Sequence, residues 1–162
     1  MACSETSPPC SVISHVMMPF HANTAGNVHG GHIMKFIDDA AYVIATRHAR
    51  RNTVTASIDR LDFHRPVHVG DLLTLKASLN HTGRSSMEIG VRVEAENLQS
   101  GEIRHIASAY LTFVALDPQG HPIPVSPLIP SSPEAQRRQQ EAVARRARRL
   151  EQSSSDPTPQ HP

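Results

Sequence analysis

The 162-residue chain has no tryptophan and only six aromatic side chains, four Phe and two Tyr. So few large rings limit the core to one compact pair of layers and exclude a large multidomain body. Cysteine is nearly as scarce. Cys3 and Cys10 are the only two and both stand in a Ser/Pro-rich leader, which excludes a disulfide framework and fits a reducing compartment. No apolar run approaches the roughly 18 residues that a membrane-spanning helix requires. The N-terminus has neither a basic start nor an apolar signal core, and the first Arg is Arg47, unlike an Arg-rich presequence. A cytoplasmic protein without a membrane span is therefore expected. Charge of one sign is also missing from most of the chain. Residues 1–133 carry ten Lys/Arg against eleven Asp/Glu, whereas residues 134–162 carry six Arg against four acids. The body offers no basic face to nucleic acid, and none is expected as a partner.

What the sequence does have is one strong helical stripe followed by alternation. Residues 1–11 read as a leader and Ser11 to Met18 as a short first strand. From Gly30, the apolar residues Ile33, Phe36, Ile37, Ala40, Ala41 and Ile44 fall at i, i+3, i+4, i+7, i+8 and i+11, which predicts a helix buried along one side. The basic run Arg47, His48, Arg50, Arg51 suits its C-terminal end. After Asn52 the period becomes 2. Val54, Ala56 and Ile58 alternate with polar residues, then the phase slips to Leu61 and Phe63, which predicts a bulge near Asp59 or Arg60 and a strand running on to Pro66.

A third strand is expected with Leu73, Leu75, Ala77 and Leu79 on one face, and a fourth with Met87, Ile89, Val91, Val93 and Ala95. The segment Ile103 to Leu116 is apolar or small on both faces, as in a strand buried twice. The expected fold is α+β, an antiparallel sheet curled around one long helix, over residues 12–130. Residues 131–162 read as an Arg/Pro/Ser-rich tail, partly helical over Glu134 to Glu151. Its glutamates make a solvated helix the simplest reading, with contact to an anionic surface or RNA as the alternative.

Chemistry is suggested first at the helix start. The loop from Asn23 delivers His29, Gly30 and Gly31 into the helix, where unpaired backbone N–H groups could donate to a carbonyl oxygen gaining negative charge. Two glycines also serve simply to make a tight turn. Asp38 and Asp39 flank the apolar stripe. Asp39 stands four residues after Lys35 and reads as half of a surface ion pair. Asp38 lacks a basic residue at i±3 or i±4, which makes it the candidate general base or nucleophile. Seven residues separate it from Gly31, about 10 Å of helix. Its carboxylate would therefore work with the helix start of a second, antiparallel copy, giving two shared sites in a symmetric dimer. The histidine pairs His29/His32 and His64/His68 lack the carboxylate or Cys that would complete a metal set, so no metal is expected.

The runs N-T-A-G-N-V-H-G-G-H-I-M-K-F-I-D-D-A-A, N-T-V-T-A-S-I-D-R-L-D-F-H, G-R-S-S-M-E-I-G-V and A-S-A-Y-L-T-F-V-A-L closely resemble the acyl-CoA hydrolase family of hotdog-fold thioesterases. The resemblance covers about residues 12–130. It implies a hotdog domain that hydrolyses acyl-CoA without a cofactor, CoA being part of the substrate. It places the family's loop Asn on Asn23 and its helix Asp on Asp38; His29, at the glycine pair, reads from its position as a site-wall residue. In tandem-domain relatives these two residues come from different domains; here one domain carries both, which implies two complete sites per homodimer and, by resemblance, a trimer of dimers. The resemblance also puts the CoA nucleotide near Arg84, Ser85 and Ser86, otherwise an ordinary polar turn. Two rivals stay in view. Hotdog domains also bind CoA esters without catalysis, and some hydrate 2-enoyl-CoA, although no Asp-x4-His arrangement stands beside this helix start.

Overall fold

A computed structural model describes residues 10–59 and 61–155; the expectations made for residues 1–9, for Arg60 and for the last seven residues lie outside them. The elements run β1 (Cys10–Val16), a 3-10 turn (Pro19–His21), α1 (Gly30–Ala49), β2 (Asn52–Ile58), β3 (Asp71–Thr82), β4 (Ser86–Asn97), β5 (Ile103–Leu116) and α2 (Pro133–Ser155). The strands form one antiparallel sheet in the order β1-β3-β4-β5-β2. One face of it wraps α1, as the sequence predicts.

The helical stripe is the buried face of α1: Ile33, Ile37, Ala40, Ala41 and Ile44 are each at most 3% exposed. It meets the alternating residues Leu73, Leu75 and Ala77 of β3, Met87, Ile89, Val91 and Val93 of β4, and Ala107, Ala109, Leu111 and Phe113 of β5 in a single apolar cluster. Each Leu, Ile or Phe so buried contributes roughly 1.5–3 kcal/mol. The alanines on the helix stripe let it lie close to the sheet. Arg50 closes α1 in a left-handed conformation, φ 52°, its N–H donating to Thr46 O. On β5 the other face, Ser108, Tyr110, Thr112 and Val114, is half-buried, less than the double burial expected.

Three expectations are corrected. Strand β2 ends at Ile58 rather than near Pro66, and its irregularity lies between Thr55 and Ser57, ahead of Asp59. Thr53 and Thr55 pair with Ala115 and Phe113 and so share the helix-facing side, while Val54 pairs with Val114 on the other side. The extra residue at Ala56 then returns Ile58 to the inner side opposite Leu111. Val54, Ala56 and Ile58 therefore never form one core face, and Val54 and Ile58 are about 40% exposed. The hydroxyls took the inner positions because α1 offers polar partners there, Thr46 among them, whose Oγ1 lies 2.8 Å from that of Thr53.

The second correction concerns α2, whose inner side docks on the outer face of the sheet. Ala135 and Ala142 are buried, and Arg145 stacks over the Tyr110 ring at 3.6 Å. Glu88 of β4, only 3% exposed, receives Arg145 at 2.7 Å and Arg149 at 3.1 Å, and Arg149 also reaches Asp59 at 2.7 Å. A solvated helix describes only its outward side. Third, Cys10 is disulfide-bonded, where the scarcity of cysteine led to no disulfide being expected. The bond lies on an edge strand, outside the apolar cluster.

Candidate active site

The approach to α1 is tied down before the helix begins. The 3-10 turn follows Met17, and the loop after it closes through Asn23 N–H to Asn27 O (2.7 Å) and Gly26 N–H to Asn23 O (3.0 Å), with Gly26 at φ 83°. Val28 N–H donates to Val67 O and His29 N–H to His21 O, both at 2.8 Å, which anchors the loop to its neighbours. Asn23 Oδ1 accepts the amides of Ala25 (2.9 Å) and Asn27 (3.2 Å). Those two donors fix which way the side-chain amide points and leave its NH2 as the free end, a donor for a water or a carbonyl.

His29 is the N-cap of α1, its Nδ1 accepting the Gly31 N–H at 2.9 Å. The helix start thus differs from a pair of open amides. Among the described residues the Gly30 N–H has no partner, while the Gly31 N–H is held by His29. A Cβ on Gly31 would stand 3.0 Å from that imidazole nitrogen, and one on Gly30 would meet the Phe63 ring at 3.6 Å. Glycine at 31 leaves room for the imidazole on its cap, while a side chain at 30 would make only ordinary contact with Phe63.

Seven residues further along, Asp38 is half-buried on the side of α1 that faces β2. The Thr55 hydroxyl donates to its Oδ1 at 2.6 Å, leaving Oδ2 uncommitted. Thr55 is the site residue that the sequence reading missed. Its only signal was position, since it alternates with Val54 and Ala56 like any outward polar residue of a strand. Asp39, by contrast, pairs with Lys35 at 2.5 Å on the exposed edge, as expected.

The apolar side chains around Asp38 are open. Met34 and Tyr42, one turn before and after it, are 43% and 44% exposed, and Val54 and Ile58 on β2 are exposed to a similar degree. Exposed apolar residues grouped around an acid suit a surface that a ligand or a partner chain could cover. Within one chain, Asp38 and the Gly30 amide stand about 10 Å apart along the helix, so this structure brings Asn23, His29, Gly30 and Gly31 together at one end and Asp38 with Thr55 in the middle.

A histidine cluster supports the helix start. His15 stacks on Phe36 with centroids 4.3 Å apart, His21 contacts His32 at 5.0 Å, and His29 contacts His32 at 6.1 Å. His21 is 8% exposed, and its Nδ1 accepts the Met18 N–H at 3.0 Å, a bond that only the neutral ring can accept. Burial first, then the neighbouring His32 and His15, holds its pKa below the usual imidazole value. Among the described residues no group of three or more His, Cys, Asp or Glu is arranged to hold a metal ion.

Arg84, Ser85 and Ser86 lie at the β3–β4 turn, well away from the helix start. The turn's backbone is pinned by Gly83 N–H to Ser86 O (2.7 Å), Ala115 N–H to Ser85 O (3.0 Å) and Val125 N–H to Arg84 O (2.9 Å). The Arg84 side chain is exposed.

With this geometry in view, comparison with known proteins is informative. Residues 25–102 match the thioesterase superfamily. The chain is 42% identical over 118 residues to an uncharacterised acyl-CoA thioester hydrolase of Bacillus subtilis, covering 73% of this chain and 69% of that one. It is 36% identical over 137 residues to the human cytosolic acyl coenzyme A thioester hydrolase, 83% of this chain but 36% of the other. Among solved structures, an apo-hexameric acyl-CoA thioesterase superposes with a TM-score of 0.87 at 36% identity, covering 92% of this chain and 97% of that one. The acyl-CoA hydrolase of Staphylococcus aureus, in complex with butyryl coenzyme A, coenzyme A and coenzyme A disulfide, superposes at 0.78 and 32% identity, over 91% and 92%. Alanine variants of that enzyme have been solved at an Asn, an Asp and a Thr spaced 15 and 17 positions apart, the spacing of Asn23, Asp38 and Thr55 in this chain.

Proposed function

The chain belongs to the thioesterase superfamily, and from that premise we propose that it hydrolyses acyl-CoA to a free fatty acid and CoA with Asp38 as general base. The observation that carries the mechanism is the Thr55–Asp38 hydrogen bond of 2.6 Å. One carboxylate oxygen is held by the hydroxyl, which fixes the rotamer, and the other is left to take a proton from water. The resulting hydroxide attacks the thioester carbonyl carbon. Negative charge gathers on the carbonyl oxygen, the C–S bond breaks, and the departing CoA sulfur takes up the proton. The reaction draws on water and side chains alone.

The amides that receive the oxyanion come from a second copy. About 10 Å of helix puts a protomer's own Gly30 out of reach of its Asp38, and the exposed Met34, Tyr42, Val54 and Ile58 around Asp38 form the apolar border that a partner would cover. Two copies with α1 antiparallel bring the Asn23 loop and the Gly30 N–H of one beside Asp38 of the other. The Asn23 NH2 then orients the water or the carbonyl, while His29 holds the first turn of the helix in shape. The homodimer carries two such sites, three dimers assemble into a hexamer as in the hexameric neighbour, and the protein works in the cytoplasm. Among the described residues no helix is long and apolar enough to cross a membrane.

The test is a thiol-release assay with acyl-CoA substrates of several chain lengths. Wild-type protein should release CoA, and Asp38→Ala should lower kcat/KM by more than about 100-fold while its melting temperature stays near wild type. Near-normal turnover in that variant contradicts the mechanism, and CoA-ester binding with no hydrolysis by wild type contradicts the activity.

A further inference from the structure

Six arginines lie on α2, and five of them have a partner within the fold. Arg137 pairs with Glu141 at 2.6 Å, Arg138 with Glu134, Arg145 with Glu88, and Arg149 with Glu88 and Asp59, while Arg148 Nε donates to Ala144 O in its own helix. Arg146 is different. It has no carboxylate partner among the described residues, and its guanidinium lies over the β3–β4 turn. Nη1 is 3.1 Å and Cζ 3.4 Å from the point where a Cβ on Gly83 would stand, with Ser86 Oγ at 2.6 Å from the same point. Glycine at 83 is what lets the arginine come so close. The next residue is Arg84, exposed and likewise without a carboxylate. Two uncompensated guanidiniums and the serine hydroxyls of Ser85 and Ser86 therefore border one turn, on a chain whose other α2 cations are mostly neutralised. The same positive field helps keep His81 neutral: burial comes first, and Arg146 and Arg149 add to it against the opposing Glu88.

The turn also stands at the appropriate end of the sheet. Ser85 O accepts the amide of Ala115, which pairs with Thr53 just after the C-terminal end of α1. When two α1 helices pack antiparallel, that end receives the helix start of the partner. A thioester held between Asp38 and the partner's amides would have its CoA arm free to run toward the turn.

We propose that Arg146, reaching across from α2 to the Gly83 turn, joins Arg84 in a clamp for the phosphates of the CoA nucleotide, which makes the C-terminal helix part of the substrate site. This inference rests on the acyl-CoA hydrolase reading above. Paired guanidiniums suit phosphate because each offers a planar fork of donors.

Steady-state kinetics of Arg146→Ala would be compared on an acyl-CoA and on the matching acyl-pantetheine, which lacks the nucleotide. Loss of one charge-assisted contact should raise KM for acyl-CoA about 10-fold, with kcat within twofold and acyl-pantetheine kinetics unchanged. Arg148→Ala, on the same helix, controls for loss of a surface charge and should match wild type on both substrates. An unchanged KM for acyl-CoA, or an equal rise on acyl-pantetheine, overturns the clamp. Should wild type hydrolyse neither thioester, the hydrolase reading fails on its own. Calorimetric titration with CoA then decides the clamp separately: weaker binding by Arg146→Ala supports it, and equal binding overturns it.

Discussion

The two helices lie on opposite faces of the same sheet and are held there by different forces. Helix α1 is bound by shape: Ile33, Ile37, Ala40, Ala41 and Ile44 fill the concave face against β3, β4 and β5. Helix α2 is bound largely by charge, with Arg145 and Arg149 converging on the buried Glu88 and Arg149 continuing to Asp59. Apolar packing on the inner side leaves one carboxylate, Asp38, half-buried beside a hydroxyl and free to react. On the outer side the buried carboxylate is neutralised twice and holds structure together. The lesson is that burial of an acid does not by itself mark chemistry; what its partners leave unsatisfied does.

If that division is right, changes on the outer side should move stability and leave kcat alone, and changes on the inner side should do the reverse. The largest effect is expected at the outer network. Arg145→Met removes one of the two cations facing Glu88 and the cation stacked on Tyr110, and should destabilise the fold by about 3 kcal/mol. Urea denaturation measures this, with kcat of the folded enzyme unchanged; a fall in kcat at full stability would erase the distinction. Next comes Thr55→Val on the inner side. It keeps the size and β-branching while removing the donor to Asp38, and should lower kcat about 10-fold with KM and melting temperature nearly constant. A wild-type kcat would mean that the 2.6 Å bond has no part in catalysis.

The smallest expected effect is in acid. His21 has a folded pKa below its unfolded value of about 6.5, so the unfolded chain binds the extra proton first. The stability that neutral His21 provides is fully present above pH 6.5 and is lost as pH falls through the window below it. The half-buried His81 acts in the same direction. Melting temperature should therefore drop as pH falls below about 6.5, and His21→Asn, whose Oδ1 can still accept the Met18 amide, should show a shallower drop. An unchanged slope would separate the histidine cluster from the acid sensitivity.

The same contrast explains what could be read in advance. The stripe of α1 was legible because a 3.6-residue period reports the buried face directly, and the alternation from Leu73 to Leu79 and from Met87 to Ala95 reported the sheet's inner face equally well. In β2 the period misled. One extra residue at Ala56 changes which side chains point inward, and neither Val54 nor Thr55 signals where a bulge falls. Asp38 was legible as an acid without a local partner, whereas Thr55, 17 residues later in sequence, met it only through the fold. For α2, composition gave a helix but not its docking, because which carboxylate an arginine finds across 57 or more residues is decided by tertiary structure. His29 was legible as a wall residue beside the glycine pair, and its capping of the Gly31 amide emerged only with the backbone.

The account depends most on a site divided between two subunits. Mixing Asp38→Asn protein with Asn23→Ala protein under conditions of subunit exchange tests it directly. Each parent should be nearly inactive alone, while a mixed dimer should regain one intact site with wild-type kcat. Confirmed exchange with no recovery of thiol release would contradict the shared site.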